Sequence, residues 1–199
     1  MRPRLSRERY NDLKIAAADL IEDYGLAYPL EPREIADILG AQIVEYRHGL
    51  PDLASALRTQ DGFTESNITE YGYSFRIHLN SAQPAIRQRF TITHECGHIW
   101  LDHLIENAHN SHEIMEIEAN FFASYLLAPD VLIQRWLPDF TITAIASQFS
   151  LSTEAATNAH RRYVNALNLG VIGQAHDLRI ASSARRRTSD KVRRSLKEA

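Results

Sequence analysis

The sequence contains a single cysteine, Cys96, which excludes an internal disulfide framework and agrees with a reducing compartment. No apolar run approaches the roughly 20 residues that a membrane span requires. The N-terminal stretch MRPRLSRERYNDLK lacks the apolar segment of a secretory signal peptide. We therefore expect a protein of the cytoplasm that does not enter a membrane.

Lysine and arginine are missing from the middle of the chain. Between Arg89 and Arg135 there is neither, while the same stretch holds seven carboxylates. Residues 179–199, in contrast, carry eight basic side chains against two acidic ones. The acidic centre suits a metal site or a basic partner, and it does not suit the phosphate backbone of a nucleic acid.

The chain of 199 residues is long enough for one domain with a buried core. Apolar residues at helical spacing predict a first helix that begins after Ser6 and stops at Gly25. Helical spacing returns from Pro84 onward. We expect a single domain over residues 1–170, followed by a basic and flexible tail over residues 171–199.

Short strands are predicted between those helical parts. The segments AQIVEY and SALRTQ, residues 41–46 and 55–60, have strand composition, and Asp61-Gly62 is predicted to form a hairpin turn. In YSFRIHLN, residues 73–80, apolar and polar side chains alternate strictly, which indicates a strand buried on one face. The expected fold is α+β, with a small antiparallel sheet beside a mostly helical bundle.

The motif that carries chemistry is His94-Glu95-x-x-His98, in a helix predicted over residues 84–103. Positions four apart share one helix face, so the two imidazoles can converge on one Zn²⁺ ion. Glu95 lies about 100° round the helix from His94, where it can hold the attacking water and take its proton. Cys96 points to the far side and is expected to be a small core residue. Two surface histidines on an amphipathic helix would have the same spacing, so the prediction depends on a third ligand.

A catalytic zinc ion usually has three protein ligands, and the next predicted helix, residues 113–127, offers Glu113, Glu116 and Glu118. Glu116 shares a helix face with Asn120, whose side-chain oxygen can accept the free N–H of a ligating imidazole. Glu118 points about 200° away from Glu116. The predicted site therefore comprises three zinc ligands, one catalytic base and one supporting amide: His94, His98, Glu116, Glu95 and Asn120. Other histidines and tyrosines near the motif receive no assigned role: His103, His109, His112, Tyr71 and Tyr73.

Residues 141–168 have the spacing of a helix-turn-helix, with Arg161 and Arg162 in the second helix. The start of that helix, residues 153–155, is poor in groups that bind base edges or phosphates. We favour a helical hairpin that completes the core over a DNA-binding element. The basic tail is open to the same two interpretations, a solvated extension or a nucleic-acid contact.

Two motifs in this order resemble the ImmA/IrrE family of metallopeptidases, whose pattern is HExxH and then ExEAN-x-FA-x-x-LL-x-P about twenty residues later. Here HECGHIWLDH is followed by EIEANFFASYLLAP, and the resemblance covers roughly residues 10–168. Cys96 departs from the pattern, since an apolar residue is more usual there. The matched residues are His94, Glu95, His98, Glu116, Glu118, Ala119, Asn120, Phe122, Ala123, Leu126, Leu127 and Pro129.

The resemblance implies a zincin-like bundle in which His94, His98 and Glu116 hold zinc and Glu95 is the catalytic base. It also implies that the substrate is a helix-turn-helix repressor, often encoded next door on a prophage or mobile element. The alternative is a non-proteolytic DNA- or protein-binding regulator with a structural zinc site. An open fourth coordination position favours the enzyme, and a closed one favours the regulator. If the strand over residues 73–80 lies at a sheet edge, it can pair with an extended substrate.

Overall fold

The computed structural model describes residues 3–47, 61–70, 72–105 and 111–187. Its helices are α1 (Arg7–Tyr24), α2 (Pro32–Ile38), α3 (Ala85–Trp100), α4 (His112–Leu127), α5 (Asp130–Trp136), α6 (Ile142–Phe149), α7 (Thr153–Asn168) and α8 (Ala175–Ser183). Its strands are β1 (Ala27–Tyr28), β2 (Ala41–Tyr46), β3 (Gly62–Thr69), β4 (Gly72–Asn80) and β5 (Arg185–Arg186). None of these helices combines the length and the apolar character that crossing a membrane requires. The α+β class expected from the sequence is confirmed.

The first helix begins and ends where the sequence predicts. The Ser6 side chain accepts a hydrogen bond from the Arg9 N–H at 3.0 Å, which satisfies one of the free donors at the helix start. Gly25 ends the helix in the left-handed conformation, φ 56°, which glycine adopts without steric cost. Leu13 and Leu20 are fully buried and attach α1 to the core.

The main sheet has the strand order β2-β4-β3. β3 and β4 are antiparallel, but β2 pairs with β4 in parallel from Ala41 opposite Phe75 onward. The prediction of an antiparallel sheet is therefore wrong for one of the two pairings. β4 takes the central position because Ile77 and Leu79 are fully buried against the helices, as its alternating pattern indicates. The strand predicted over residues 55–60 lies outside the described residues.

The hairpin turn predicted at Asp61-Gly62 is wrong. Gly62 is the first residue of β3, and the antiparallel pairing of β3 with β4 extends to Thr69 opposite Gly72. Gly62 is needed for close packing rather than for a turn. A Cβ atom there would lie 2.6 Å from Thr91 Cγ2, well inside van der Waals contact. β3 therefore lies directly against α3.

The C-terminal helical hairpin forms α6 and α7, and Ile145 and Phe149 from α6 are fully buried in the core. The chain then continues into α8 and β5, so the prediction of a flexible tail is wrong for residues 175–186. Ile180 is fully buried, β5 pairs with β1, and Arg179 forms ion pairs with two carboxylates of α1. These contacts come from distant parts of the chain, so the short helix carries little local signal. Residues 188–199 lie outside the described part.

The two central helices approach each other closely because Gly97 has no side chain. A Cβ atom on Gly97 would lie 3.1 Å from Phe122 Cδ1 and 3.6 Å from the backbone of Ala119. Both neighbours belong to α4, which therefore packs directly on α3 at this position. The crossing brings the acidic first turns of α4 over the histidines of α3.

Candidate metal centre

The two histidines of the HExxH motif project from successive turns of α3 into one cleft. The Nε2 atoms of His94 and His98 lie 3.1 Å apart. At this distance both nitrogens can reach one shared cation. A shared cation would stabilise this arrangement.

The third predicted ligand comes from α4. Glu116 places Oε1 3.2 Å from His98 Nε2 and Oε2 3.5 Å from His94 Nε2. The imidazoles of His94 and His98 hold the pKa of the Glu116 carboxyl well below its ordinary value. The carboxylate is therefore ionised at neutral pH and can act as a ligand.

These three side chains fit a tetrahedral metal ion. Each offers one ligand atom, and the three atoms lie within 4.8 Å of one another. Atoms bound at about 2.0–2.1 Å in a tetrahedral site lie about 3.3–3.4 Å apart. The measured separations of 3.1, 3.2 and 3.5 Å are close to that spacing. Within the described ranges no fourth histidine, cysteine, aspartate or glutamate joins this group; residues 106–110 lie outside them.

Glu95 lies beside the group formed by His94, His98 and Glu116, which we call the metal-binding group, but does not belong to it. It is only 7% exposed and lines the cleft. Its Oε2 accepts a hydrogen bond from the Thr64 hydroxyl at 2.7 Å. Because Thr64 is on β3, the sheet holds this carboxylate in place. Sequence reasoning missed Thr64, since it comes from a strand 31 positions earlier in the chain.

A series of polar contacts connects His98 to the first helix. His103 Nδ1 lies 3.1 Å from His98 Nδ1, and His103 Nε2 lies 3.0 Å from Glu118 Oε2. Arg9 donates to both oxygens of Glu118, at 2.7 and 3.0 Å. If His98 binds metal through Nε2, its Nδ1–H donates to His103, which in turn donates to Glu118. Contacts of this kind orient a ligating imidazole and fix its tautomer.

The pKa shifts of His103 and Glu118 agree with this series of hydrogen bonds. Burial lowers the pKa of His103, and the neighbouring His98 lowers it further, so His103 is neutral at pH 7 and can accept a hydrogen bond. Burial raises the pKa of Glu118, but Arg9 and His103 more than offset that effect and leave the pKa below its ordinary value. Glu118 is thus a buried anion whose charge is compensated by Arg9.

His103 reaches this position through the reversal of the chain after α3. Asp102 adopts a left-handed conformation, φ 58°, and the His103 N–H donates to the His98 carbonyl at 2.9 Å. The sequence analysis assigned no role to His103. The one local indication in the sequence is that His103 follows His98 by five residues. This spacing predicts a contact only if α3 is known to end before His103, so that the chain can reverse at Asp102.

The described structure does not show the contact to an imidazole that was predicted for Asn120. Its Nδ2 donates to the Glu116 carbonyl at 2.8 Å. His98 Nδ1 is already in contact with His103, and His94 Nδ1 is buried with no hydrogen-bond partner in the described structure. Asn120 remains at the site only as a residue that lines the cleft. Helix-face reasoning could not detect that another histidine occupies the expected position.

The other residues considered from the sequence have different positions. Cys96 is fully buried, and burial raises the pKa of its thiol, which confirms that it is a core residue. His112 lines the cleft at its exposed rim. Tyr73 is exposed on β4 and lies outside the cleft lining. Tyr71 and His109 lie outside the described residues.

A cleft of about 490 Å³ opens over the metal-binding group. We call it the metal cleft; it is lined by Asp61, Gly62, Phe63, Thr64, Phe90, Thr91, His94, Glu95, His98, His103, Leu104, His112, Met115, Glu116 and Asn120. Three of these residues are carboxylates, and among the described lining residues none is lysine or arginine. The metal cleft is therefore acidic, as the charge distribution of the sequence indicates.

The sheet edge beside the metal cleft belongs to β3. Phe63 and Thr64 both line the metal cleft, although neighbouring residues of a strand point to opposite faces. The edge of β3 therefore faces the cleft, and among the described strands β3 has a neighbour on one side only. The edge position considered for residues 73–80 is wrong, because β4 is the central strand.

Comparison with known proteins agrees with this site. A family model described as Peptidase_M78, the IrrE N-terminal-like domain, matches residues 51–160, which is more than half of the chain. The matched region includes the histidines of α3 and Glu116 of α4. A search of curated proteins found no match. The chain therefore belongs to the Peptidase_M78 (IrrE N-terminal-like) family of metallopeptidases.

Proposed function

We propose that this chain is a zinc-dependent endopeptidase that cleaves a helix-turn-helix transcriptional repressor. One observation carries the proposal. His94, His98 and Glu116 form a three-membered metal-binding group at the base of an open cleft, with Glu95 beside it. Two imidazoles and one carboxylate are a ligand set typical of catalytic zinc.

The open cleft supports an enzyme rather than a structural zinc site. A structural site usually has four protein ligands, whereas a catalytic site leaves one position for water or substrate. Cys96, the one cysteine in the sequence, is fully buried and does not belong to the group of possible ligands. His94, His98 and Glu116 all line the metal cleft, so a fourth coordination position would be open to water or substrate.

The residues of this chain then have distinct tasks. His94, His98 and Glu116 would hold the zinc ion, which would supply polarisation of the scissile carbonyl and a water with its pKa lowered to about 7. Glu95 accepts a proton from the attacking water and transfers it to the leaving nitrogen. The Thr64 hydroxyl engages Oε2 of Glu95, which orients the carboxylate and leaves Oε1 for the water. His103, Glu118 and Arg9 hold the ring of His98 in its binding orientation.

The edge of β3 offers a place for the substrate backbone. An extended peptide can add to a sheet edge through main-chain hydrogen bonds, with side-chain contacts supplying the specificity. β3 borders the metal cleft at Phe63 and Thr64, next to Glu95. A segment bound there passes over the metal-binding group with its backbone extended.

The acidity of the metal cleft supports a basic protein substrate. Asp61, Glu95 and Glu116 line it without a described lysine or arginine, so positively charged segments are attracted. DNA-binding repressors carry such segments. Cleavage of a repressor would make the chain an anti-repressor in the cytoplasm, acting on a prophage, a mobile element or a stress regulon.

The test is incubation of the zinc-loaded protein with the helix-turn-helix repressor encoded beside its gene. We expect cleavage at a defined bond, measured by mass spectrometry of the products. Protein stripped of metal by a chelator should not cut, and it should recover when zinc is restored. An intact repressor with zinc fully bound would contradict the proposed substrate.

A further inference from the structure

A second cleft adjoins the metal cleft on the side of the α3 N-terminus. It has a volume of about 660 Å³. We call it the distal cleft; it is lined by Asp61, Pro84, Ile86, Arg87, Arg89, Phe90, Thr91, Asn120, Ser124, Leu127, Ser150, Leu151, Ser152, Glu154, Ala155 and Asn158. Four residues line both clefts: Asp61, Phe90, Thr91 and Asn120. The two clefts are therefore parts of one continuous groove.

The far wall of the distal cleft is the turn between α6 and α7. Ser150 ends α6 in a left-handed conformation, φ 53°. Ser152 caps α7, and its side chain accepts a hydrogen bond from the Ala155 N–H at 3.1 Å. Leu151, between the two serines, packs against the core. The turn is thus fixed at both ends, and the helix-turn-helix spacing in the sequence produces a wall of this groove.

The distal cleft has a mixed lining, whose charged residues are Asp61, Arg87, Arg89 and Glu154. Its lining includes six apolar residues: Pro84, Ile86, Phe90, Leu127, Leu151 and Ala155. Its two arginines have partners within the chain. Arg87 donates to Asp61 at 2.7 Å, and Arg89 donates to the Leu30 carbonyl. The distal cleft therefore suits an apolar side chain more than a charged one.

The direction of β3 determines which end of a bound peptide enters the distal cleft. Gly62 packs on Thr91, and Thr64 binds Glu95, so β3 and α3 run in the same direction. Antiparallel pairing is slightly more stable than parallel pairing. A peptide added antiparallel to β3 runs towards the strand's first residue, and its C-terminal part continues into the distal cleft.

The length of α3 gives the distance involved. Arg87 precedes Glu95 by eight positions, which corresponds to about 12 Å along a helix. An extended chain covers that distance with about three or four residues. The substrate side chain in the distal cleft is therefore about the third or fourth after the cleaved bond.

We propose that the distal cleft binds substrate residues on the C-terminal side of the cleaved bond. The α6–α7 turn selects an apolar side chain at about the third or fourth position. This inference rests on the proposed peptidase function, because it assigns the occupant as a peptide held by β3. It gives the α6–α7 hairpin a role in substrate selection.

The experiment digests a library of proteome-derived peptides with the zinc-loaded protein and identifies the cut bonds by mass spectrometry. Wild type should prefer apolar residues at the third or fourth position after the bond. Ala155→Trp and Asn158→Trp each place an indole in the distal cleft. Both should shift that preference to small residues and raise KM for apolar substrates about tenfold or more. The value of kcat should change less than about twofold, and zinc content should be unchanged.

The matched control is Thr157→Trp, on the same helix but exposed and outside the distal cleft. It should leave the cleavage profile as in wild type. Two cleft variants are used, Ala155→Trp and Asn158→Trp, so that the result does not depend on one variant folding correctly. The inference is overturned if wild type cuts peptides and both cleft variants keep the wild-type cleavage profile. It is also overturned if the variants change the preference on the N-terminal side of the cut bond. In both cases the proposed peptidase function still stands. If wild type cuts neither the library peptides nor the repressor, the proposed function fails first.

Discussion

His103 Nδ1 lies 3.1 Å from His98 Nδ1, and the other nitrogen of His98, Nε2, lies 3.2 Å from Glu116 Oε1. The contact is possible because the chain reverses at Asp102, directly after α3. Glu118 accepts from the other nitrogen of His103, and Arg9 compensates the charge of Glu118. The structure thus connects His98 of α3 to the first turn of α1.

This connection predicts a role for His103 in metal affinity. His103→Ala removes the acceptor that orients the His98 ring, so zinc affinity should fall about 10–100-fold. Competition with a fluorescent zinc chelator measures the change. His112→Ala is the matched control, because His112 is also a histidine of the metal cleft but its side chain is 86% exposed. Equal affinities in the two variants would contradict the orienting role.

Removal of the Glu116 carboxylate should lower the zinc content more than removal of a nearby glutamate that is not a predicted ligand. Glu116→Ala leaves two imidazoles without the carboxylate that closes the triangle, so zinc should be lost on dialysis. Elemental analysis of the dialysed protein measures the zinc content. Glu113→Ala, an exposed glutamate one turn earlier, should keep about one zinc per chain. Full zinc occupancy in the Glu116 variant would place the third ligand elsewhere.

The Glu118 carboxyl predicts a pH dependence of stability. Its folded pKa is lowered by Arg9 and His103 against the effect of burial. A carboxyl with a lowered folded pKa contributes stability above its unfolded value of about 4.3, and loses it as pH falls through the folded value. Metal-free wild type should therefore lose stability over that range. Glu118→Gln should show a flatter acid dependence and be about 1–3 kcal/mol less stable at pH 7.

Urea unfolding between pH 3 and pH 7 measures this dependence, with Glu113→Gln as the control for an exposed carboxyl. Wild type and the Glu113 variant should have curves of the same shape. A Glu118 variant whose curve runs parallel to that of wild type would show that the carboxyl is not coupled to folding.

Deletion of basic C-terminal residues distinguishes the peptidase hypothesis from that of a DNA-binding regulator. A deletion from residue 180 would remove buried Ile180 and β5, so the cut belongs after Arg187. Residues 188–199 contain four basic side chains. A shortened protein, residues 1–187, should keep its zinc and its cleavage activity. In a DNA-binding regulator, each lost phosphate contact would reduce the slope of log affinity against log salt by about 0.9. Salt titrations of DNA binding therefore distinguish the two.

The sequence predicted those parts of the site that depend on one helix at a time. His94 and His98 are on one face because they are four residues apart, and Glu116 follows from the ligand chemistry of the next helix. Local geometry was sufficient in each case.

The parts that were missed depend on contacts between distant segments. Thr64 reaches Glu95 from another element, and His103 depends on where α3 ends. β4 lies at the centre of the sheet and pairs in parallel with β2, and its alternating pattern alone determines neither its position nor the direction of pairing. α8 has few buried apolar residues, so its periodicity is weak, and ion pairs such as Arg179 with Asp19 attach it. None of these contacts is encoded in a short stretch of sequence.

The most direct test of the central claim is Glu95→Gln at matched zinc content. The substitution keeps the shape of the side chain and its contact with Thr64 but removes the base. Cleavage of proteome-derived peptides, counted by mass spectrometry, should fall by about 10² or more while zinc content equals that of wild type. Unchanged cleavage with equal zinc would contradict the assignment of Glu95 as the base and the mechanism built on it.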